Sequence, residues 1–236
     1  MFNKVRSLVF TVLYMIWSAL CSIVGVLWFP FPSLVAIKWA HVWAYGIKLL
    51  LKYIVGITYE VVGIENLPKD ESVIVASKHQ SAFETAIYHL VFNRAVFVLK
   101  KELLYLPFFG WNLMKCGAIA LDRKAGTAAM RKMLKEVEDR KKLGRQIIIF
   151  PEGTRTAYGK RVTEYKPGVA LLYEKCDLKV LPVAINSGKY WKRNSILQRH
   201  PGKITIKIMP PMPTGMDKKT FMSALNTAIE DAVEKL

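Results

Sequence analysis

Val73-Ile74-Val75-Ala76-Ser77-Lys78-His79-Gln80-Ser81-Ala82-Phe83-Glu84-Thr85 is the stretch from which the rest of the chain can be read. Its first four residues form an apolar run of the kind buried on both faces of a parallel or mixed sheet. Ala86-Ile87-Tyr88-His89-Leu90-Val91-Phe92, which follows, reads as a helix. His79 therefore falls in a strand-to-helix turn at the carboxyl end of a strand, where α/β sheets place their ligands. Glu84 is the only formally charged residue between His79 and Arg94, and an acid on an apolar helix needs a partner because burying it alone is costly. Five positions along one helix turn a side chain through about 500°, leaving the two pointing ~140° apart. They can meet only if His79 lies outside the helix and Glu84 reaches back from its first turn. Two readings are open at this point. In one, the carboxylate orients the imidazole of a general base. In the other, His79 caps the helix and Glu84 is hydrated in its first turn.

A second buried run, Gln146-Ile147-Ile148-Ile149-Phe150, leads into Pro151-Glu152-Gly153-Thr154-Arg155. A strand ending in a glycine-containing turn with an arginine makes an anion site from backbone N–H groups and a guanidinium fork. Two further blocks follow the same plan. Phe97-Val98-Leu99-Lys100-Lys101-Glu102-Leu103 runs on to Pro107-Phe108-Phe109-Gly110-Trp111, and Val180-Leu181-Pro182-Val183-Ala184-Ile185 is a further strand.

His79-(four residues)-Glu84 with Phe150-Pro151-Glu152-Gly153-Thr154-Arg155, together with these two blocks in order, resembles the glycerolipid acyltransferases, specifically the bacterial 1-acylglycerol-3-phosphate acyltransferases. The resemblance runs from about residue 58 to about residue 210. One position departs from it, since the family's usual acid is Asp and this chain has Glu84. The resemblance implies acyl transfer from a thioester of coenzyme A or acyl carrier protein to the free hydroxyl of lysophosphatidic acid, giving phosphatidic acid. It implies that His79 and Glu84 are catalytic, that Lys100 and Arg155 hold the acceptor's phosphate, and that Glu152, Gly153 and Thr154 belong to the same acceptor site. No cofactor and no metal are expected. The cytoplasmic face of the inner (plasma) membrane is the expected location.

The composition points to the same setting. Of the 236 residues, 52% are hydrophobic, yet the formal net charge is +17. Oily and basic together suit an anionic membrane surface or anionic substrates. Nucleic acid is not expected, because no zinc-finger, RNA-recognition or basic-zipper signature accompanies the charge. Cys21, Cys116 and Cys176 lack metal spacing and read as buried or membrane-embedded thiols of a reducing compartment.

Residues 1–57 form a membrane-binding segment and residues 58–236 a catalytic domain. Leu8 to Phe29 is free of charge over 22 residues, long enough to span a bilayer at about 20 residues. Pro30-Phe31-Pro32 breaks it. Beyond the break, Lys38, His41, Lys48 and Lys52 share an arc of about 80°, with Trp39, Trp43, Ile47, Leu50 and Ile54 opposite. That pattern suits a helix lying in the membrane interface or packing on a core. A hairpin that dips and returns reconciles a basic N-terminus with a basic catalytic part on one side.

From residue 57 on, strands are expected at 58–62, 73–76, 95–99, 118–121, 146–150, 179–185 and 204–209, and helices at 82–93, 107–115, 126–143, 168–176 and 218–235. The result is an α/β domain with a mixed sheet flanked by helices. Arg131, Lys132, Lys135, Arg140, Lys141 and Lys142 of the 126–143 helix are interrupted by Glu136, Glu138 and Asp139 and read as a solvated face; contact with the donor's phosphates is the other reading. His41, His89 and His200 have no acid at usable spacing and are given no chemistry. A serine-hydrolase elbow and a P-loop are both missing. Two alternatives remain, an acyltransferase for another lysolipid (lyso-ornithine lipid or lysophosphatidylglycerol) and an idle lipid-binding protein on the same fold.

Overall fold

A computed structural model describes residues 2–68, 71–193 and 195–236. The chain opens with α1 (Phe2–Gly25) and α2 (Ser33–Leu50). It then builds β1 (Ile57–Val62), β2 (Val73–Ser77), α3 (Phe83–Val91), β3 (Ala95–Lys100), α4 (Phe109–Cys116) and β4 (Ile119–Leu121). After α5 (Gly126–Lys142) come β5 (Gln146–Ile149), α6 (Gly168–Lys175), β6 (Val180–Ile185), α7 (Ser187–Tyr190), β7 (Gly202–Ile208) and α8 (Lys218–Glu234).

The seven strands form one mixed sheet in the order β1-β7-β6-β2-β5-β3-β4. Among the described strands, only β6 and β7 pair antiparallel. The expected mixed sheet is therefore present, and its central strands are the ones whose sequence lacks alternation. Every residue of β2, β5 and β6 is buried, because helices cover both faces of a parallel sheet. One face packs on α3 and the N-terminal helices through Val73, Val75, Ile87 and Phe10. The other packs on α5, α6 and α8 through Ile74, Met133, Val169 and Phe221. Register fixes the site. Ala76 lies opposite Ile149 in β5, Ser77 opposite Val183 in β6, and Ala95 opposite Gln146. The carboxyl ends of β2, β3, β4 and β5 thus emerge on one edge, carrying His79, Lys100, Arg123 and Arg155 to the same side.

The N-terminal helices form a hairpin. The indoles pin it, with Trp17 Nε1 donating to the Trp43 carbonyl at 2.9 Å and Trp39 Nε1 to the Cys21 carbonyl at 2.8 Å. Gly46 permits the approach, since a Cβ there would lie 2.3 Å from the Trp17 ring. The first helix starts at Phe2, ahead of its charge-free run, and Arg6 within it turns its guanidinium back onto the Ile54 carbonyl. α1 is also joined to the catalytic part. The buried Arg199 guanidinium lies 4.6 Å from the Phe10 ring centroid and 4.5 Å from that of Trp191. It donates to the Ser7 carbonyl at 3.2 Å and to Thr11 Oγ1 at 2.9 Å. Leu8, Met15, Ile16, Leu20 and Ile23 nevertheless face outward. With the turns that follow them, both helices are long and apolar enough to cross a membrane, at 27 and 23 residues. An exposed apolar surface of this kind is suited to membrane association.

Candidate active site

β2 ends at Ser77, and the five residues to Ala82 form the turn that enters α3. His79 is in that turn and Glu84 is the second residue of the helix, so the acid reaches back across the helix start. Its Oε2 accepts from His79 Nδ1 at 3.1 Å and from the Ser81 N–H at 2.9 Å. Its Oε1 accepts from Ser187 Oγ and, at 3.4 Å, from Ser81 Oγ. Glu84 is fully buried, and these donors are what make a buried carboxylate tolerable.

A carboxylate can only accept, so His79 Nδ1 carries the proton of that bond and Nε2 keeps its lone pair. The imidazole stacks on the Phe150 ring, with centroids 3.9 Å apart and planes 15° from parallel. The main-chain N–H of His79 donates to Glu152 Oε2 at 2.7 Å, and its main-chain carbonyl accepts from the Thr156 N–H at 2.8 Å. Ring, tautomer and main chain are thus all held, and the free nitrogen belongs to a side chain on the wall of a cavity.

That cavity measures about 960 Å³. Its body is apolar, with Trp39, Trp43, Phe97, Leu113, Met130 and Met133 on the wall. Among the described residues, five cationic side chains, Lys100, Arg123, Arg155, Lys166 and Arg193, also line it, and none that lines it is acidic. All but Arg155 are exposed, so the charge is concentrated at the rim. Lys100 is partly engaged by Glu102 at 3.2 Å, a surface pair that water screens. Gly153 takes φ +69°, the left-handed conformation that the turn after β5 requires. Its N–H closes the turn on the Phe150 carbonyl at 2.9 Å.

Of the residues expected at the site, His79, Lys100, Gly153, Thr154 and Arg155 line the cavity and Glu84 stands directly behind His79. Glu152 is not on the wall. Its carboxylate turns inward, where the Lys78 ammonium lies 2.8 Å from Oε1. Sequence reasoning missed Ser187, which the β6–β7 connection brings to Glu84, because a serine 103 positions away carries no local signal. It also missed Arg193, which donates to the Arg155 carbonyl, and Tyr14, through which α1 contributes to the wall. His89, given no chemistry from spacing, lines the cavity with its Nδ1 unpartnered, and burial pushes its imidazole down to about 3.

A held base beside an apolar cavity with a cationic rim defines an enzyme site for a substrate that joins a long chain to an anion. The chain belongs to the Acyltransferase family, whose model matches residues 58–186. It is 38% identical to the 1-acyl-sn-glycerol-3-phosphate acyltransferase of Pseudomonas aeruginosa, over 77% of this chain and 69% of that one. It is 31% identical to the enzyme of that name from Saccharomyces cerevisiae, over 70% of this chain and 55% of that one. The fold matches the crystal structure of the 1-acyl-sn-glycerophosphate (LPA) acyltransferase of Thermotoga maritima. The TM-score is 0.79 at 22% identity, covering 99% of this chain and 97% of that one.

Proposed function

We propose that this protein acylates the free hydroxyl of 1-acyl-glycerol-3-phosphate with an acyl thioester, giving phosphatidic acid. The observation that carries the reading is the His79–Glu84 pair at 3.1 Å, which leaves Nε2 free at the wall of a cavity with a cationic rim. His79 Nε2 takes the hydroxyl proton as the oxygen attacks the thioester carbonyl, and Glu84 stabilises the imidazolium that forms. Collapse of the tetrahedral intermediate breaks the C–S bond, and the imidazolium returns its proton to the departing thiolate. General base work of this kind is worth about 10²- to 10⁴-fold in rate. Arg155 and Lys100 hold the acceptor's phosphate, with Arg193 adjoining Arg155, and the apolar body of the cavity takes acyl chain. The donor is the thioester of coenzyme A or of acyl carrier protein, for which no cofactor is needed. The outward apolar face of the α1–α2 hairpin rests on the cytoplasmic leaflet of the inner membrane, so that insoluble acceptor and product pass sideways.

The purified full chain, offered lysophosphatidate with acyl-coenzyme A or acyl carrier protein in mixed micelles, should yield phosphatidate by mass. Arg155→Ala should lose turnover of lysophosphatidate at least tenfold while changing that of monoacylglycerol, which has no phosphate, much less. Arg155→Lys should rescue only in part, because an ammonium cannot form the bidentate fork. No phosphatidate from the wild type, or equal losses on both acceptors, would overturn the assignment.

A further inference from the structure

Lys78, immediately before the base, is fully buried. An ammonium taken out of water must be compensated at close range, and here two carboxylates do so. Glu152 Oε1 lies at 2.8 Å from its Nζ, and Glu230 Oε1 and Oε2 at 2.7 and 2.8 Å. Other donors complete the cluster. Thr156 Oγ1 donates to Glu152 Oε1 at 2.6 Å, and the Tyr165 hydroxyl to Glu230 Oε1 at 2.7 Å. The second oxygen of Glu152 accepts the main-chain N–H of His79 at 2.7 Å. One carboxylate therefore bridges the buried ammonium and the backbone of the base. Behind it, Lys78 ties the turn to Glu230 in α8, which lies beyond the segment that the family model matches.

We propose that Glu152, anchored through Lys78 to Glu230 of α8, is a positioning residue for His79 and does not bind the acceptor. This deepens the proposed function and rests on its reading of His79 as the base. The cavity gives Glu152 no access to a ligand, and both of its oxygens are already committed. A carboxylate beside a bound phosphate would also repel it. The cluster instead joins the turn after β2, the turn after β5 and the C-terminal helix at one point, directly under the imidazole. A displacement of about 1 Å in a catalytic group costs on the order of 10²-fold in rate, which gives such a brace its value.

The test separates positioning from ligand binding and from mere scaffolding. In Glu152→Gln a single acceptor oxygen must serve both the His79 N–H and Lys78, and the new amide N–H₂ group opposes one of them. We expect kcat to fall by about 10- to 10²-fold, with the KM for lysophosphatidate within about twofold and Glu152→Asp recovering part of the loss. Glu230→Gln should change kcat in the same direction and leave KM alone. In a His79→Ala background neither substitution should reduce the residual rate further, because what they position has gone. If single variants fold poorly, Lys78→Met/Glu152→Gln/Glu230→Gln removes the buried charges together, and it should be folded by circular dichroism yet low in kcat. A raised KM with kcat retained would make Glu152 an acceptor ligand. An unchanged kcat, or a loss that multiplies with that of His79→Ala, would make the cluster scaffolding. Either result overturns the proposal. Full activity in His79→Ala itself would instead overturn the base assignment on which it rests.

Discussion

Replacing Glu84 by Gln changes one oxygen to an amide and leaves the volume of a fully buried side chain almost untouched. The structure says what is lost. Glu84 accepts from His79 Nδ1 at 3.1 Å, from the Ser81 N–H at 2.9 Å and from two serine hydroxyls. Gln has one acceptor oxygen for these donors. If that oxygen stays on Ser81 and His79, the imidazolium formed in the reaction loses its counter-charge. If the amide N–H₂ group faces His79 instead, Nδ1 must accept, and the proton moves to Nε2, where it blocks base catalysis. A hydrogen bond to a charged group has a net worth of about 1.5 to 3 kcal/mol. The upper end, apt for a pair shut off from water, corresponds to about 10²-fold in kcat. Glu84→Asp keeps the charge but withdraws the carboxylate by one C–C bond, about 1.5 Å, so it should be impaired yet faster than Glu84→Gln. His79→Ala should lose about 10² or more, and His79→Ala/Glu84→Gln should be barely slower than His79→Ala alone. The assay is initial rate at saturating acceptor and donor, with product read by mass and each variant shown to be folded and membrane-bound. Losses that multiply in the double variant, or a Glu84→Gln close to wild type, would refute an acid that works through the histidine.

Three further outcomes follow from burial and packing. His89 has its folded-state value depressed to about 3 by burial, below an ordinary histidine value of about 6.5. The unfolded chain therefore binds the extra proton first, and the contribution of neutral His89 is complete above ~6.5 and is lost as pH falls towards ~3. Denaturant titrations at pH 7 and pH 5 should show a slope of up to about 1.4 kcal/mol per pH unit that His89→Leu flattens; an equal slope in both would refute it. In α1, Met15→Glu/Ile16→Glu changes residues that are 64% and 51% exposed, so it should weaken flotation with anionic liposomes severalfold while leaving Tm nearly unchanged. Deleting residues 1–55 should instead unfold the protein, because Phe10, Ile47, Leu51 and Val55 belong to the core over the sheet. Undiminished flotation of the double variant, or a folded truncation, would count against this division of labour.

The apolar runs of β2, β5 and β6, the turn residues that end them and the charge-free run from Leu8 within the first hairpin were all readable along the chain. Each is a local property: a strand covered on both faces must be apolar throughout, and a chain leaving it must turn. The same locality placed His79 before α3 and Glu84 in its first turn, where the two can touch. Long-range pairing was beyond such reading. Nothing near Glu152 in sequence indicates that its carboxylate faces Lys78 and not the cavity, and nothing near Ser187 indicates a bond to Glu84. Glu230 lies next to Ile229 on the border of an apolar helix face, where a glutamate usually meets water; only the packing of α8 brings it to within 2.7 Å of a buried ammonium. Arg199 likewise holds α1 through the Phe10 ring, the Ser7 carbonyl and the Thr11 hydroxyl, all more than 180 residues away in sequence. The buried charges Lys78, Glu84, Glu152 and Glu230 are each met by other buried groups, and strand order and register, set by the whole sheet, decide which partners meet.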